Sequence, residues 1–473
     1  MAEGKKSDVL TAPSSPDEEV ALGSVTDDRD DEAEVFASGA NGIDFRTVGW
    51  LKAAVFLLKM TFAAGVLSIP SALYTLGAVA GAIFILFWGL LNTYMAYIQG
   101  QFKMRHRSVH TVADAAYIAA LDLGGCSKRV ALLVKEATDV LWVSTLGLSV
   151  ALNAVSRHAT CSVVFGFVAY IVIASVASVR KIQHLGLVTW VGFGSMVTAI
   201  LIVVIAVTVP ERPAAAPKTV DFELGFSAIP PAGTTFASAW AASLAIFSSS
   251  ANTSGFVPVI SEMRRPTDFF KSLYTCMTWI TTSYLALAIT MYAYCGKWVT
   301  SPALGSAGPT IKIVAYAIAI PGLIAGAMIC VHVAAKSLFV KALRGTHHLT
   351  ENTKTHWTVW LTCTYGTGFA GWILSEAIPF FSSLVSLIGA LGFGPLGICL
   401  PAILWFSLHK DMARETWAGR AASSAHIALF LLGLLVTIGG TYANVLTIIE
   451  HFRAGEVGSP FQCTDNSGTV AGA

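Results

Sequence analysis

Eleven apolar runs, each near the length that crosses a bilayer, constrain this chain more than any other feature. The hydrocarbon core of a membrane is about 30 Å thick, and a helix needs about 20 residues to cross it. Such runs lie near residues 49–76, 78–102, 130–153, 160–179, 184–209, 235–260, 270–295, 311–337, 356–376, 380–406 and 423–449. Lipid offers backbone groups no hydrogen bonds, so runs of this kind become helices. The expected fold is an all-α membrane protein of about eleven transmembrane helices. Charge agrees: only 12% of the 473 residues are charged, against about 25% in soluble domains.

The remaining charge is unevenly placed. Residues 1–46 hold twelve acidic residues against Lys5, Lys6, Arg29 and Arg46, yet the whole chain is +2. This acidic segment is too polar to bury a core and reads as a disordered cytoplasmic tail. Its start predicts no cleaved leader, so the first apolar helix directs insertion. With the N-terminus in the cytoplasm, the inner loops carry seventeen Lys and Arg and the outer loops and C-terminal tail only six. That bias is the one membrane proteins show, and it calls for no nucleic-acid partner. An odd number of helices places the C-terminal tail outside. The expected organisation is a tail at 1–46, five helices at 47–209, an outer loop at 210–234, five helices at 235–408, a loop and an eleventh helix at 409–450, and a short tail at 451–473. The connection 103–129 includes a stretch, 111–117, suited to a short helix on the cytoplasmic face.

Catalytic and metal chemistry find no foothold. The eight cysteines include no CxxC pair and no Cys/His cluster at metal spacing, so no metal and no cofactor is expected. No P-loop, no HExxH and no Ser-His-Asp order occurs, and the inner loops are too short for a nucleotide-binding domain. An enzyme and an ATP-driven pump are both disfavoured.

Two spans are interrupted, and they carry the chemistry. Span one reads Ala63-Ala64-Gly65-Val66-Leu67-Ser68-Ile69-Pro70. Span six reads Phe247-Ser248-Ser249-Ser250-Ala251-Asn252-Thr253-Ser254-Gly255-Phe256-Val257-Pro258. Proline removes a helix hydrogen bond, and small and hydroxylated residues ease unwinding. Unwound backbone cannot face lipid, so it must line a cavity within the protein. The two breaks open two successive groups of five spans. Paired interruptions at corresponding places point to a substrate site between inverted repeats. N–H groups at the start of one half-helix attract a carboxylate, and C=O groups at the end of another accept from an ammonium. The candidate substrate-binding residues are Ala64, Gly65, Val66, Leu67 and Ser68 with Phe247, Ser248, Ser249, Ser250 and Asn252.

These residues also carry a resemblance. Gly65-Val66-Leu67-Ser68-Ile69-Pro70 is followed by Phe256-Val257-Pro258-Val259-Ile260-Ser261-Glu262-Met263. Then come Ser301-Pro302-Ala303-Leu304-Gly305-Ser306-Ala307-Gly308-Pro309, Val331-His332-Val333-Ala334-Ala335-Lys336 and Ala377-Ile378-Pro379-Phe380-Phe381. In this order they resemble the amino acid/auxin permease family of the amino acid–polyamine–organocation superfamily. Within it they look most like the fungal neutral amino acid permeases, over about residues 46–450. The resemblance implies a five-plus-five inverted repeat with an eleventh helix, and uptake coupled to a cation gradient. Sodium-coupled animal members carry Asn six residues before the glycine that matches Gly65. Lys59 stands there in this chain, which argues against sodium and makes Lys59 the candidate for proton coupling.

Other polar residues are candidate gates: Glu136 and Asp139, sharing a face at the start of span three, and Glu262 beside Arg264 and Arg265 at the end of span six. For Glu136 and Asp139 the alternative is an interfacial structural cluster, and for Glu262 a solvated helix end. The expected function is a plasma-membrane proton symporter for small neutral amino acids. Two alternatives stand beside it: an amino-acid-sensing receptor that signals through the acidic tail, and a vacuolar exporter.

Overall fold

Apolar periodicity places helices along the chain, and the breaks fall where proline and small residues cluster. The computed structural model describes residues 46–62, 64–109, 112–123, 162–180, 186–217, 221–343, 346–349, 351–377, 385–387, 389–409 and 416–453. Span one is two helices, α1 (Trp50–Thr61) and α2 (Ile69–Leu76), joined through a tight 3-10 turn at Ala64–Ser68. The halves are bent by 42°. Span two is α3 (Ala78–Arg105), and the short helix expected near 111–117 is α4 (Val112–Leu123). Spans four and five are α5 (Ser162–Ala177) and α6 (Gly186–Thr208). Span six is again two helices, α7 (Phe236–Ser250) and α8 (Phe256–Glu262), with a 3-10 turn at Asn252–Gly255 between them.

Spans seven, eight and nine are α9 (Phe269–Cys295), α10 (Pro309–Leu343) and α11 (Lys354–Ala377). Span ten is helical from Val385, takes π-helical form at Gly389–Cys399 and continues as α12 (Leu400–Leu408). Span eleven is α13 (Trp417–Arg453). Ten of the eleven expected spans thus meet described helices. The third, with Glu136 and Asp139, lies outside the described residues, as do 1–45 and 454–473 of the two tails. Length and apolarity alone qualify five described helices as membrane-crossing, and the bent pair α1–α2 as a sixth. The others fall short of that test because they are interrupted, short, or rich in Thr, Ser and Tyr.

Packing follows an exchange of the two groups of five. Span one packs on span seven, and its counterpart, span six, packs on span two; the two broken spans cross each other. The seam between spans five and eight is tight. A Cβ built on Gly192 of α6 would stand 2.3 Å from Ala325 Cβ and 3.1 Å from the Pro321 carbonyl of α10. Small residues let helices in lipid approach this closely. Gly192→Leu is expected to overpack this seam, a change that costs about 1–3 kcal/mol. A thermal-shift measurement on the purified protein should show a lower melting temperature.

Candidate functional site

Both breaks follow from where proline sits. Pro70 lies in the first turn of α2 and Pro258 in the first turn of α8. There the missing N–H costs nothing, and the fixed φ favours restarting a helix. Neither proline can bond the carbonyl four residues upstream, so the unwound turn lies ahead of each. A helix that ends in mid-bundle leaves its last carbonyls without partners. Here side chains supply the donors.

At the end of α1, the Met60 carbonyl accepts from Asn252 Nδ2 at 3.3 Å and the Thr61 carbonyl from the Tyr284 hydroxyl at 3.3 Å. The Phe62 carbonyl accepts from Lys59 Nζ at 3.3 Å. The Gly65 carbonyl accepts from Ser68 Oγ and from Ser249 Oγ, each at 2.8 Å. At the end of α7, the Ser249 carbonyl accepts from the Tyr284 hydroxyl at 2.9 Å. Asn92 of α3 gives Nδ2 to Ser250 Oγ at 2.8 Å. Gly65 suits the close crossing, since a Cβ there would stand 3.2 Å from Ser249 Cα.

The structure therefore brings much of the expected set together. Gly65, Ser68, Ser249 and Asn252 are joined by hydrogen bonds across or within the breaks, and Val66 and Leu67 are buried beside them. Ala64 contributes backbone in the 3-10 turn. The three serines face different neighbours. Ser249 faces span one and Ser250 faces Asn92. Ser248 bonds its own helix at the Leu244 carbonyl and abuts Gly389, where a Cβ would meet its Cβ at 2.9 Å. Phe247 is fully buried against Trp88 of α3, ring centroids 4.7 Å apart. Several acceptor oxygens at the crossing have no hydrogen-bond partner among the described residues: Thr61 Oγ1, Asn92 Oδ1, Asn252 Oδ1 and Thr253 Oγ1. The crossing thus keeps two amide oxygens that can only accept and two hydroxyls that can donate or accept, which suits a polar ligand.

Lys59 is wholly buried, while Lys52, seven residues earlier, is exposed. The ammonium meets the Phe62 carbonyl, and no salt bridge joins it to an acid among the described residues. Glu262 is buried at the end of α8 and pairs with Lys336 of α10, not with Arg264 or Arg265, which are exposed. Lys336 is therefore a buried helix residue, although its place after an apolar run groups it with the loop cations. His332, one turn earlier, meets the Ala177 carbonyl through Nδ1 at 3.1 Å.

Sequence reasoning misses Asn92, Tyr284, Gly389 and Lys336. Asn92 has a signal, because an amide in the middle of an apolar span needs an internal partner. Gly389 has a weaker one, as part of the glycine-rich run that becomes a π-helix, an element frequent at functional sites. Tyr284 has none.

Comparison with known proteins agrees with this geometry. The sequence profile described as "Transmembrane amino acid transporter protein" matches residues 46–446. The chain belongs to that family. As one of its members it is an integral, multi-pass amino acid transporter, as the resemblance in its motifs implied. A protein of Gibberella moniliformis named "Transmembrane transporter" is 40% identical, covering 97% of each chain. The "N amino acid transport system protein" of Neurospora crassa is 28% identical, covering 98% of each. Among solved structures the transporter is similar in fold to the inward-facing conformation of Mhp1. The TM-score is 0.53 at 12% identity, covering 90% of this chain and 96% of that one. A Na+-coupled sialic acid symporter in a substrate-bound outward-open state gives 0.51 at 13% identity, covering 88% and 94%. These likenesses show the overall fold, an all-α bundle, and nothing finer.

Proposed function

We propose that this transporter is a secondary active symporter that carries small neutral amino acids together with a proton. The observation that carries this reading is the chemistry of the crossing. Backbone and amide dipoles converge there, and between Met60 and Tyr74 and between Trp240 and Pro258 there is no acidic or basic side chain. Dipoles suffice for a zwitterion, whose carboxylate and ammonium balance. A charged substrate side chain would be buried without a partner, which is costly. Lys59, beside the crossing, is the coupling group: it takes the proton from one side of the membrane and releases it to the other. Ala64 to Ser68 and Phe247 to Asn252 form the substrate site. Glu262 closes the end of the bundle that the loop charges assign to the cytoplasm, with Glu136 and Asp139 on the same side. The plasma membrane is the working location.

The test is a competition panel in proteoliposomes with a labelled neutral amino acid and an imposed pH gradient. Small neutral amino acids should compete about tenfold or more better than lysine, arginine or glutamate. Equal competition by lysine would rule out the reading of the site. Binding without flux would favour a receptor that signals through the acidic tail.

A further inference from the structure

The two broken spans meet at one hydroxyl. Tyr284 lies in the middle of α9, outside both breaks, and is 2% exposed. Its O–H stands 2.9 Å from the Ser249 carbonyl of span six and 3.3 Å from the Thr61 carbonyl of span one. Each carbonyl belongs to the C-terminal end of a half-helix, where the aligned peptide dipoles leave about half a negative charge. Two such ends aimed at one point repel each other unless a donor lies between them. A tyrosine hydroxyl has a single proton. It serves one carbonyl fully at a time, and the shorter distance marks Ser249 as the one served here.

An ordinary buried tyrosine needs one partner for its hydroxyl. This one has two, from two different broken helices, and its ring is held to the purpose. Phe62, the residue at which span one leaves its helix, stacks on it with centroids 5.7 Å apart. Trp279 and Phe193 meet Phe62 edge-on at 5.0 and 6.1 Å and each other at 5.0 Å. That wall fixes where the hydroxyl can stand. The other direct links between the breaks, Ser249 to Gly65 and Asn252 to Met60, use side chains that belong to span six itself. Tyr284 alone among these donors approaches from a third helix.

We propose that Tyr284 is a positioning residue that couples the two breaks. Its proton shifts between the Ser249 and Thr61 carbonyls as the half-helices move, so that binding at one break is felt at the other. Where this concerns substrate affinity it rests on the transport reading above; where it concerns the order of the breaks it does not.

Tyr284→Phe keeps the ring and the aromatic wall and removes only the hydroxyl. The full-length protein, wild type and variant, would be reconstituted in nanodiscs for amide hydrogen exchange and in proteoliposomes for uptake. Removing the donor that the two carbonyls share should speed exchange roughly tenfold in peptides covering both 58–68 and 247–257. It should raise KM for a neutral amino acid roughly tenfold with little change in Vmax. A structural role alone would lower the amount of active protein, and hence Vmax, at constant KM. Faster exchange at one break only, or at neither, overturns the proposal, as does a KM within about twofold of wild type. If the wild type moves no amino acid, the transport reading fails, and the exchange result still decides the role of Tyr284.

Discussion

Lys59→Ala should abolish the accumulation of substrate driven by a pH gradient while sparing part of substrate binding or exchange. If helix one enters the membrane near Val48, Lys59 lies about 16 Å deep at 1.5 Å per residue, roughly halfway across. Lys52, on the same stripe, is exposed and can extend toward the interface. Lys59 has no such escape, because it is wholly buried where α1 unwinds. A lysine at mid-membrane costs about 2.5–3.5 kcal/mol on insertion scales, and such residues mark proton and substrate paths by default. Its ammonium faces the Phe62 carbonyl at the negative end of a half-helix, a place that favours a cation. Lys59→Arg keeps a charge but not one that can be given up, because guanidinium stays protonated in proteins. Both variants should therefore lose gradient-driven uptake in proteoliposomes. A purely structural lysine, paired with an acid of span three, would let Lys59→Arg concentrate substrate. Concentration by Lys59→Ala under the gradient would remove Lys59 from the coupling step altogether.

How much of this was visible in the sequence depends on which forces set each feature. The spans were legible because lipid forces every backbone group into a helix, and apolar length records that demand directly. The breaks were legible for the converse reason: Pro70 and Pro258 sit among small and hydroxylated residues, where continuous helix is hardest to maintain. The partners were not. Tyr284 reaches Thr61 and Ser249 from another helix, and Lys336 reaches Glu262 across 74 residues of chain. Local pattern placed Glu262 beside Arg264 and Arg265, its neighbours in sequence. The fold instead turns those two outward and sets α10 against the end of α8. The same limit applies to Ser248, Ser249 and Ser250. They look equivalent as a run, yet one helical turn sends them toward Gly389, Gly65 and Asn92.

Breaking the Glu262–Lys336 pair should have the second large effect. The end of the bundle that holds it is latched twice. Val48, just ahead of α1, donates to the Glu262 carbonyl at 3.1 Å and accepts from the Arg264 N–H at 2.8 Å, a short parallel bridge between the two broken spans. One residue away, the Glu262 side chain leaves the backbone bridge and pairs with Lys336 inside the protein, both side chains 5% exposed or less. Beside this latch an open pocket of about 280 Å³ lies between α1 and α6, lined by Val48, Lys52, Phe56, Leu187 and Trp190 among others. The latch, which holds Val48 at the head of α1, is placed to restrain that helix. Removing one member of a buried ion pair costs about 3–5 kcal/mol. Replacing both with uncharged residues of similar size is often close to neutral. Lys336→Met and Glu262→Gln alone should each lower the melting temperature of the purified protein sharply, and Glu262→Gln/Lys336→Met should recover most of the loss. The double variant should still open too readily. A cysteine placed at Lys52 should then react faster with a membrane-impermeant thiol reagent applied to the Val48 end than it does beside the intact pair. Equal melting of the single and double variants would show that the pair does not hold this end of the bundle. Unchanged reactivity at position 52 would show that it does not restrain α1.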